Sequence, residues 1–254
     1  MMDLFNIEGK RAIVTGGTRG LGLEIARGLL EAGCETVIAG TTDQALRQAE
    51  EFRSQGFLCH GVKGDLGVKA EAYRVFDESL AALGGDLDIL VTSHGIQRRH
   101  QAEEFPLDEW NEVLAVNLTS IFILCQEAAK VFLPKGRGKI INIASMNSFF
   151  GGQTIPAYAA SKGGVAQLTK ALSNDWMSKG ICVNAIAPGY MKTEMNRALL
   201  DPANPRYASI TERIPAHRWG TGRDMVGAVI FLASAASDYV GGAVIPVDGG
   251  YLGK

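Results

Sequence analysis

The sequence has no excess of either charge: 25 basic residues face 27 acidic ones, for a formal net charge of −2, and no run of like charges occurs. That balance lacks the electrostatic footprint of a nucleic-acid or membrane-surface binder. The first eleven residues, Met1 to Arg11, do not place a basic segment before an apolar one. No stretch approaches the ~18 consecutive apolar residues of a membrane span. A cytoplasmic protein with no membrane and no nucleic-acid partner is the expectation. Cysteine is sparse: Cys34, Cys59, Cys125 and Cys182 form no Cys-x-x-Cys pair, and each has apolar neighbours. They read as small buried hydrophobes, not as disulfides or zinc ligands. His60, His94, His100 and His217 show no helical ligand spacing, so no metal site is expected. Repeats, low-complexity tracts and Pro/Gly/Ser linkers are missing too, which leaves residues 1–254 as a single domain.

What is present is a core-building composition, 46% hydrophobic and 20% charged over 254 residues. A chain of this length buries roughly 70–75% of its unfolded surface. Short β-branched runs read as strands: Arg11–Thr15, Glu35–Ala39, Leu58–Lys63, Leu87–Thr92, Lys139–Ala144, Cys182–Ala187 and Ala243–Val247. Helical patterns separate most of them. Strands apolar on both faces and alternating with helices indicate an α/β fold, a Rossmann-type doubly wound parallel sheet of about seven strands. Between Ala187 and Arg223 lies a long interval carrying Pro188, Pro202, Pro205 and Pro215. Such length marks residues 188–222 as a lid over the carboxyl ends of the strands, where ligands of open sheets bind.

The first strand runs into Thr15-Gly16-Gly17-Thr18-Arg19-Gly20-Leu21-Gly22 and then a helical pattern. A tight strand-to-helix turn aims free N–H groups and the positive end of a helix dipole at one point, which suits a pyrophosphate. At the end of the second strand stands Gly40-Thr41-Thr42, without the carboxylate that would pair ribose hydroxyls. Asp43 comes late, and Arg19 offers a bidentate donor to a 2′-phosphate or a solvated turn residue. These residues lean toward NADP over NAD.

Tyr158 and Lys162 share one helix face at i,i+4 within the pattern Ala157–Met177. An ammonium beside a phenol of pKa ~10 favours the phenolate, so Lys162 is expected to acidify Tyr158 for proton transfer. Ser145 ends the fifth strand, thirteen residues upstream of Tyr158. Asn117 sits among apolar residues in the helical stretch Glu109–Cys125, where an amide needs partners. Pro188-Gly189, with Thr193, opens the lid.

Together these residues resemble the short-chain dehydrogenase/reductase family, from Thr15 to Val247-Asp248-Gly249-Gly250. The resemblance implies that Tyr158 exchanges the proton, Ser145 bonds the reacting oxygen, Lys162 also binds the nicotinamide ribose and Asn117 holds a water in the relay. It places the dinucleotide on Gly16, Thr18, Arg19, Gly20, Leu21, Gly22, Thr41, Ser93, Gly95, Tyr158, Lys162, Pro188, Gly189, Met191 and Thr193. Asp65 and Leu66 would hold the adenine, although Asp65 reads equally as a helix cap. The chain departs from the family's Asn-Asn-Ala-Gly with Thr92-Ser93-His94-Gly95, and His94 is expected to be a packed imidazole.

The loop Gln97-Arg98-Arg99-His100 brings positive charge beside the nicotinamide end. Arg98, with Arg99 beside it, is the candidate clamp for a carboxylate, against a solvated or subunit-facing reading of each. Ser145, Asn147, Gln153 and Tyr158 would meet a polyol. Several segments resemble the sugar-acid branch of the family, the dehydrogenases of gluconate, 2-deoxygluconate and 2-dehydro-3-deoxygluconate. The expected activity is reversible oxidation of a secondary alcohol on such an acid. A 3-oxoacyl thioester reductase and a catalytically silent nucleotide binder are the alternatives. Phe122, Val131, Phe132, Val165 and Leu168 read as surplus apolar helix surface, and the resemblance implies a homotetramer. Trp219 and Tyr251-Leu252 are assigned either to the site or to that interface.

Overall fold

A computed structural model describes residues 2–201 and 203–254; Met1 and Pro202, the latter one of the lid prolines, lie outside the described residues. Seven strands form one parallel sheet: β1 (Arg11–Thr15), β2 (Glu35–Gly40), β3 (Cys59–Lys63), β4 (Ile89–Thr92), β5 (Gly138–Ile143), β6 (Ile181–Pro188) and β7 (Val244–Val247). Their order is β3-β2-β1-β4-β5-β6-β7, so the chain reverses direction across the sheet between β1 and β4. The crevice beyond that reversal is the binding position of doubly wound sheets. Register brings Thr15 opposite Thr92, and Thr92 opposite Asn142, at the carboxyl edge.

Alternation along each strand feeds two cores. Ile13, Val37, Leu90, Ile140 and Val183 face the layer of α3 (Lys69–Ala82), α5 (Ser120–Lys135) and α6 (Pro156–Trp176). Val14, Ile38, Val91, Ile141 and Ile186 face α1 (Gly20–Glu31), α2 (Gln44–Ser54) and α8 (Arg223–Ala233). Both faces are covered, which is why the strands read as continuous apolar runs.

Four expectations change. The helix expected over Glu109–Cys125 is α4 (Leu107–Leu114), a π-turn over Ala115–Thr119, and then α5. This 29-residue run is, among the described residues, the one helix long and apolar enough to cross a membrane. Its Ile121, Leu124, Cys125, Ala128 and Phe132 are instead buried in the core. Of the five residues read as surplus surface, Phe132 and Val165 are buried in that core, Val131 and Leu168 pack against it, and Phe122 is exposed. The segment 188–222, expected as a lid loop, is not a plain loop. It carries α7 (Pro205–Arg213), begun by Asn204 capping the Arg206 N–H with Pro205 at the first turn.

A separate cluster holds the lid down: Met146, Ile210, Ile214, Trp219 and Tyr251. Tyr190 lies edge-on to both Trp219 and Tyr251, and Tyr207 stacks on Trp219 at 6.0 Å. The Arg213 guanidinium covers the Tyr251 ring at 4.3 Å. Tyr251 therefore orders the lid from within its own chain.

Candidate active site

The strand β1 ends where Thr15 turns into glycine. Gly16 sits at φ +68, and a Cβ there would lie 2.8 Å from the backbone of His94; one on Gly22 would lie 2.2 Å from the Gly16 carbonyl. Only glycine lets the turn close against the end of β4 and the start of α1. Arg19 precedes α1 and makes no side-chain cap hydrogen bond, so leading N–H groups of the helix remain available to an anion. Across a cavity of about 660 Å³, Thr193, Lys192 and Arg197 of the lid face Arg19 and Gly20. The Ser93 hydroxyl, buried beside this crevice, has no protein partner among the described residues. An orphaned hydroxyl, a side-chain-free turn and an uncapped helix end together fit a dinucleotide.

Around the turn, Asp43 is paired with Lys63 at 2.9 Å, which pulls its carboxyl down and occupies the one late acid of β2. Thr41 is exposed, and Arg19 is in no ion pair among the described residues. Asp65 accepts the Gly67 N–H at 2.9 Å and its carbonyl accepts the Val68 N–H; this turn leads into α3. Leu66 beside it is buried. Pro188 closes β6, the Gly189 N–H is bonded to the Val247 carbonyl, and Met191 pairs with Gly220.

At the end of β4, Ser93 leaves its hydroxyl unpartnered among the described residues, whereas Thr92 replaces an amide without leaving a gap. Thr92 donates to Asn142 at 2.8 Å, and Asn142 donates to Thr169 at 3.0 Å, which bonds the Val165 carbonyl. The Asn142 amide on β5 completes this buried chain. Asn117, fully buried on the π-turn, accepts from the Ile96 N–H at 2.8 Å and donates to the Ile96 carbonyl at 2.9 Å and to Ser161 at 3.2 Å. It clamps the loop that follows Gly95. π-turns of this kind recur at functional sites.

Ser145, Tyr158 and Lys162 come together above β5. The Ser145 hydroxyl accepts the Asn147 N–H at 3.1 Å, and Ser145 stands close enough to Tyr158 to influence its phenol. Lys162, 4% exposed, donates to the Ile143 carbonyl at 2.6 Å and stands 5.9 Å from the centre of the Tyr158 ring. The Ser148 hydroxyl donates to the Lys162 carbonyl at 2.6 Å.

The electrostatics reverse one expectation. Burial pushes the Tyr158 phenol up from its usual value, and Ser145, not Lys162, is the group that pulls the other way. Burial also pulls Lys162 down to about 8. The ammonium is directed at the Ile143 carbonyl and over the phenol's face, so it does not outweigh desolvation. Tyr158 is therefore held in its protonated form.

The substrate-facing residues divide. Arg98 is engaged by Glu112 at 2.7 Å and by Glu109 at 3.8 Å, so its charge is spent inside the protein. Arg99 bonds the Gln97 side chain at 3.1 Å, and partial burial with the like charge of Arg206 lowers its guanidinium from the usual value, against the opposing influence of Tyr190. Among the described residues it has no acidic partner. Neighbouring guanidiniums in sequence gave no signal for this choice. Asn147 is half-buried, with its Nδ2 near the Phe150 carbonyl, and Gln153 is exposed at the rim. His94 lies between Thr15 and Ser120.

The family described as enoyl-(acyl carrier protein) reductase matches residues 16–252. This chain belongs to the short-chain dehydrogenase/reductase family. It is 44% identical over 256 residues to 2-dehydro-3-deoxy-D-gluconate 5-dehydrogenase of Bacillus subtilis (strain 168), covering 99% of this chain and 98% of that relative. It is 39% identical over 257 residues to gluconate 5-dehydrogenase of Gluconobacter oxydans (strain 621H), covering 98% and 96%. The crystal structure of a gluconate 5-dehydrogenase from Burkholderia cenocepacia J2315, in complex with NADP and tartrate, superposes with a TM-score of 0.95 at 43% identity, covering 100% of this chain and 99% of that one. The seven-stranded sheet and the glycine turn are thus those of a dehydrogenase of this family.

Proposed function

We propose that the protein interconverts a secondary alcohol and a ketone on a sugar acid of the gluconate, 2-deoxygluconate or 2-dehydro-3-deoxygluconate type, with NADP preferred over NAD. The observation that carries this reading is the convergence of protonated Tyr158, Ser145 and Lys162 above β5, with Arg99, on the loop that follows Gly95, lacking an acidic partner among the described residues. The names of the Bacillus and Gluconobacter relatives, and the NADP and tartrate of the Burkholderia structure, support it.

In this reading Tyr158 passes its proton to the carbonyl oxygen that Ser145 orients, and the Lys162 ammonium stabilises the phenolate left behind. Lys162 also meets the nicotinamide ribose. Asn117 fixes the loop carrying Gly95 and holds the relay water. Backbone from Gly16 through Gly22 takes the pyrophosphate, with Ser93, Gly95, Pro188, Gly189, Met191 and Thr193 along its length, and with Thr41, Asp65 and Leu66 toward the adenine. Arg19 takes the 2′-phosphate. When bound, the nucleotide supplies or accepts the hydride. Arg99 pairs with the carboxylate, with Asn147 and Gln153 at the hydroxyls.

One second reading is a 3-oxoacyl thioester reductase, which would use the same Ser145, Tyr158 and Lys162. Following the absorbance of reduced nicotinamide with NAD and NADP against gluconates, deoxygluconates, their keto forms and acetoacetyl thioester separates the two. Turnover of a sugar acid, faster with NADP, is expected; turnover of the thioester alone would overturn the proposal. We further read the protein as a cytoplasmic homotetramer. Its four free buried cysteines suit a reducing compartment, and exposed Leu107, Phe122 and Leu133 suit subunit packing. Sedimentation at a monomer mass would overturn the assembly.

A further inference from the structure

We infer that His94 is a positioning residue that locks the glycine turn to the helix behind Asn117, so that nucleotide binding and turnover both depend on its two ring hydrogen bonds. The imidazole is 9% exposed and spans from the end of β1 to the start of α5. Nδ1 lies 2.6 Å from the Thr15 hydroxyl, and Nε2 lies 2.7 Å from the Ser120 hydroxyl. Ser120 already gives its proton to the Val116 carbonyl at 2.7 Å, within the π-turn. It can therefore only accept from the ring. Nε2–H donates to Ser120, and Nδ1 accepts from Thr15. Burial, reinforced by the charge of Lys162, holds the ring down to about 3, so this tautomer persists throughout the neutral range.

Each contact of His94 leads to a different part of the cleft. Thr15 begins the glycine turn, and Gly16 rests so closely on the His94 backbone that a Cβ would find 2.8 Å. Ser120 follows the π-turn that presents Asn117. On the far side, a Cβ at Gly95 would stand 3.3 Å from Asn117 Oδ1 and 3.8 Å from Lys162 Nζ. An alanine methyl at this position, the family's usual side chain, reaches neither hydroxyl. In this chain the imidazole sets the spacing between the nucleotide's turn and the proton-transfer residues.

The inference rests on the cleft being the nucleotide site, and binding measured without substrate keeps its failure apart from failure of the proposed reaction. His94→Leu nearly preserves volume and removes both bonds. Thr15 and Ser120 keep carbonyl acceptors, on Val91 at 3.4 Å and Val116 at 2.7 Å, so no donor is stranded and the variant is expected to fold. His94→Gln restores a donor and an acceptor. On the full chain, NADPH fluorescence titration should show binding weakened about tenfold or more in His94→Leu, with kcat at saturating nucleotide reduced similarly. His94→Gln should recover most of both, and nucleotide-free melting should be nearly unchanged. Nitrogen NMR of the wild-type ring should show one tautomer from pH 5 to 8. Leucine binding NADPH as tightly as the wild type would overturn the inference. So would a leucine defect that glutamine does not relieve, or a ring that titrates in that range. A wild type that binds no nicotinamide nucleotide would sink the nucleotide site itself, and this inference with it.

Discussion

The floor of the cleft and the lid over it are held by different forces. On the floor, Thr15, Thr92, Asn142, Asn117 and Lys162 are tied to partners far away in sequence by hydrogen bonds of 2.6–3.2 Å. Sheet register sets where each one stands. In the lid, Tyr190, Tyr207, Trp219 and Tyr251 hold α7 by ring packing, with centroids 5.1–6.0 Å apart. Directional bonds in a dry environment fix reacting groups in place, whereas stacked rings tolerate sliding. The floor is thus suited to one chemistry and the lid to the choice of substrate.

Breaking the floor should cost the most. Tyr158→Phe keeps the ring but removes the proton, and kcat should fall about a thousandfold for every substrate while nucleotide binding persists. Steady-state kinetics beside a nucleotide titration checks this; retained turnover would move the chemistry elsewhere.

At the mouth, a charge-assisted contact is worth about 2 kcal/mol, or roughly thirtyfold. Arg99→Ala should raise KM for the sugar acid by that factor and leave an uncharged ketone unaffected. Arg98→Ala, which unpairs Glu112 and leaves Glu109 with His100, should change neither by much. Equal effects of Arg99→Ala on both substrates would remove the carboxylate contact.

The lid contacts are smaller. Aromatic pairs contribute about 1 kcal/mol, so Tyr251→Ala should raise KM roughly fivefold. Proteolysis within α7 should quicken, while the melting temperature of the sheet barely moves. A collapse of global stability would instead make Tyr251 part of the main core.

The strands, the glycine turn and the Tyr158–Lys162 spacing were legible in the sequence because periodicity and glycine placement act locally. Lid helix α7 had a local signal as well, Asn204-Pro205, masked by the surrounding prolines. The π-turn at Asn117 had none, since one widened turn leaves the residue pattern of a helix unchanged. Arg98 and Arg99 are adjacent, and only the loop's path decides which meets Glu112 and which is left, among the described residues, without an acidic partner. The direction of the Tyr158 shift was hidden for a similar reason: spacing tells that two groups are neighbours, not how much water each has lost or which carbonyl claims the ammonium.

The pH profile of ketone reduction at saturating nucleotide tests the proton-transfer account most directly. Lys162 keeps its charge below about 8 and loses it as pH rises through that value, while Tyr158, pushed above its ordinary range, stays protonated. Reduction should therefore hold level through neutral pH and fall above about 8. A rate that stays constant or climbs between pH 8 and pH 10 would contradict a lysine-supported phenol as the acid.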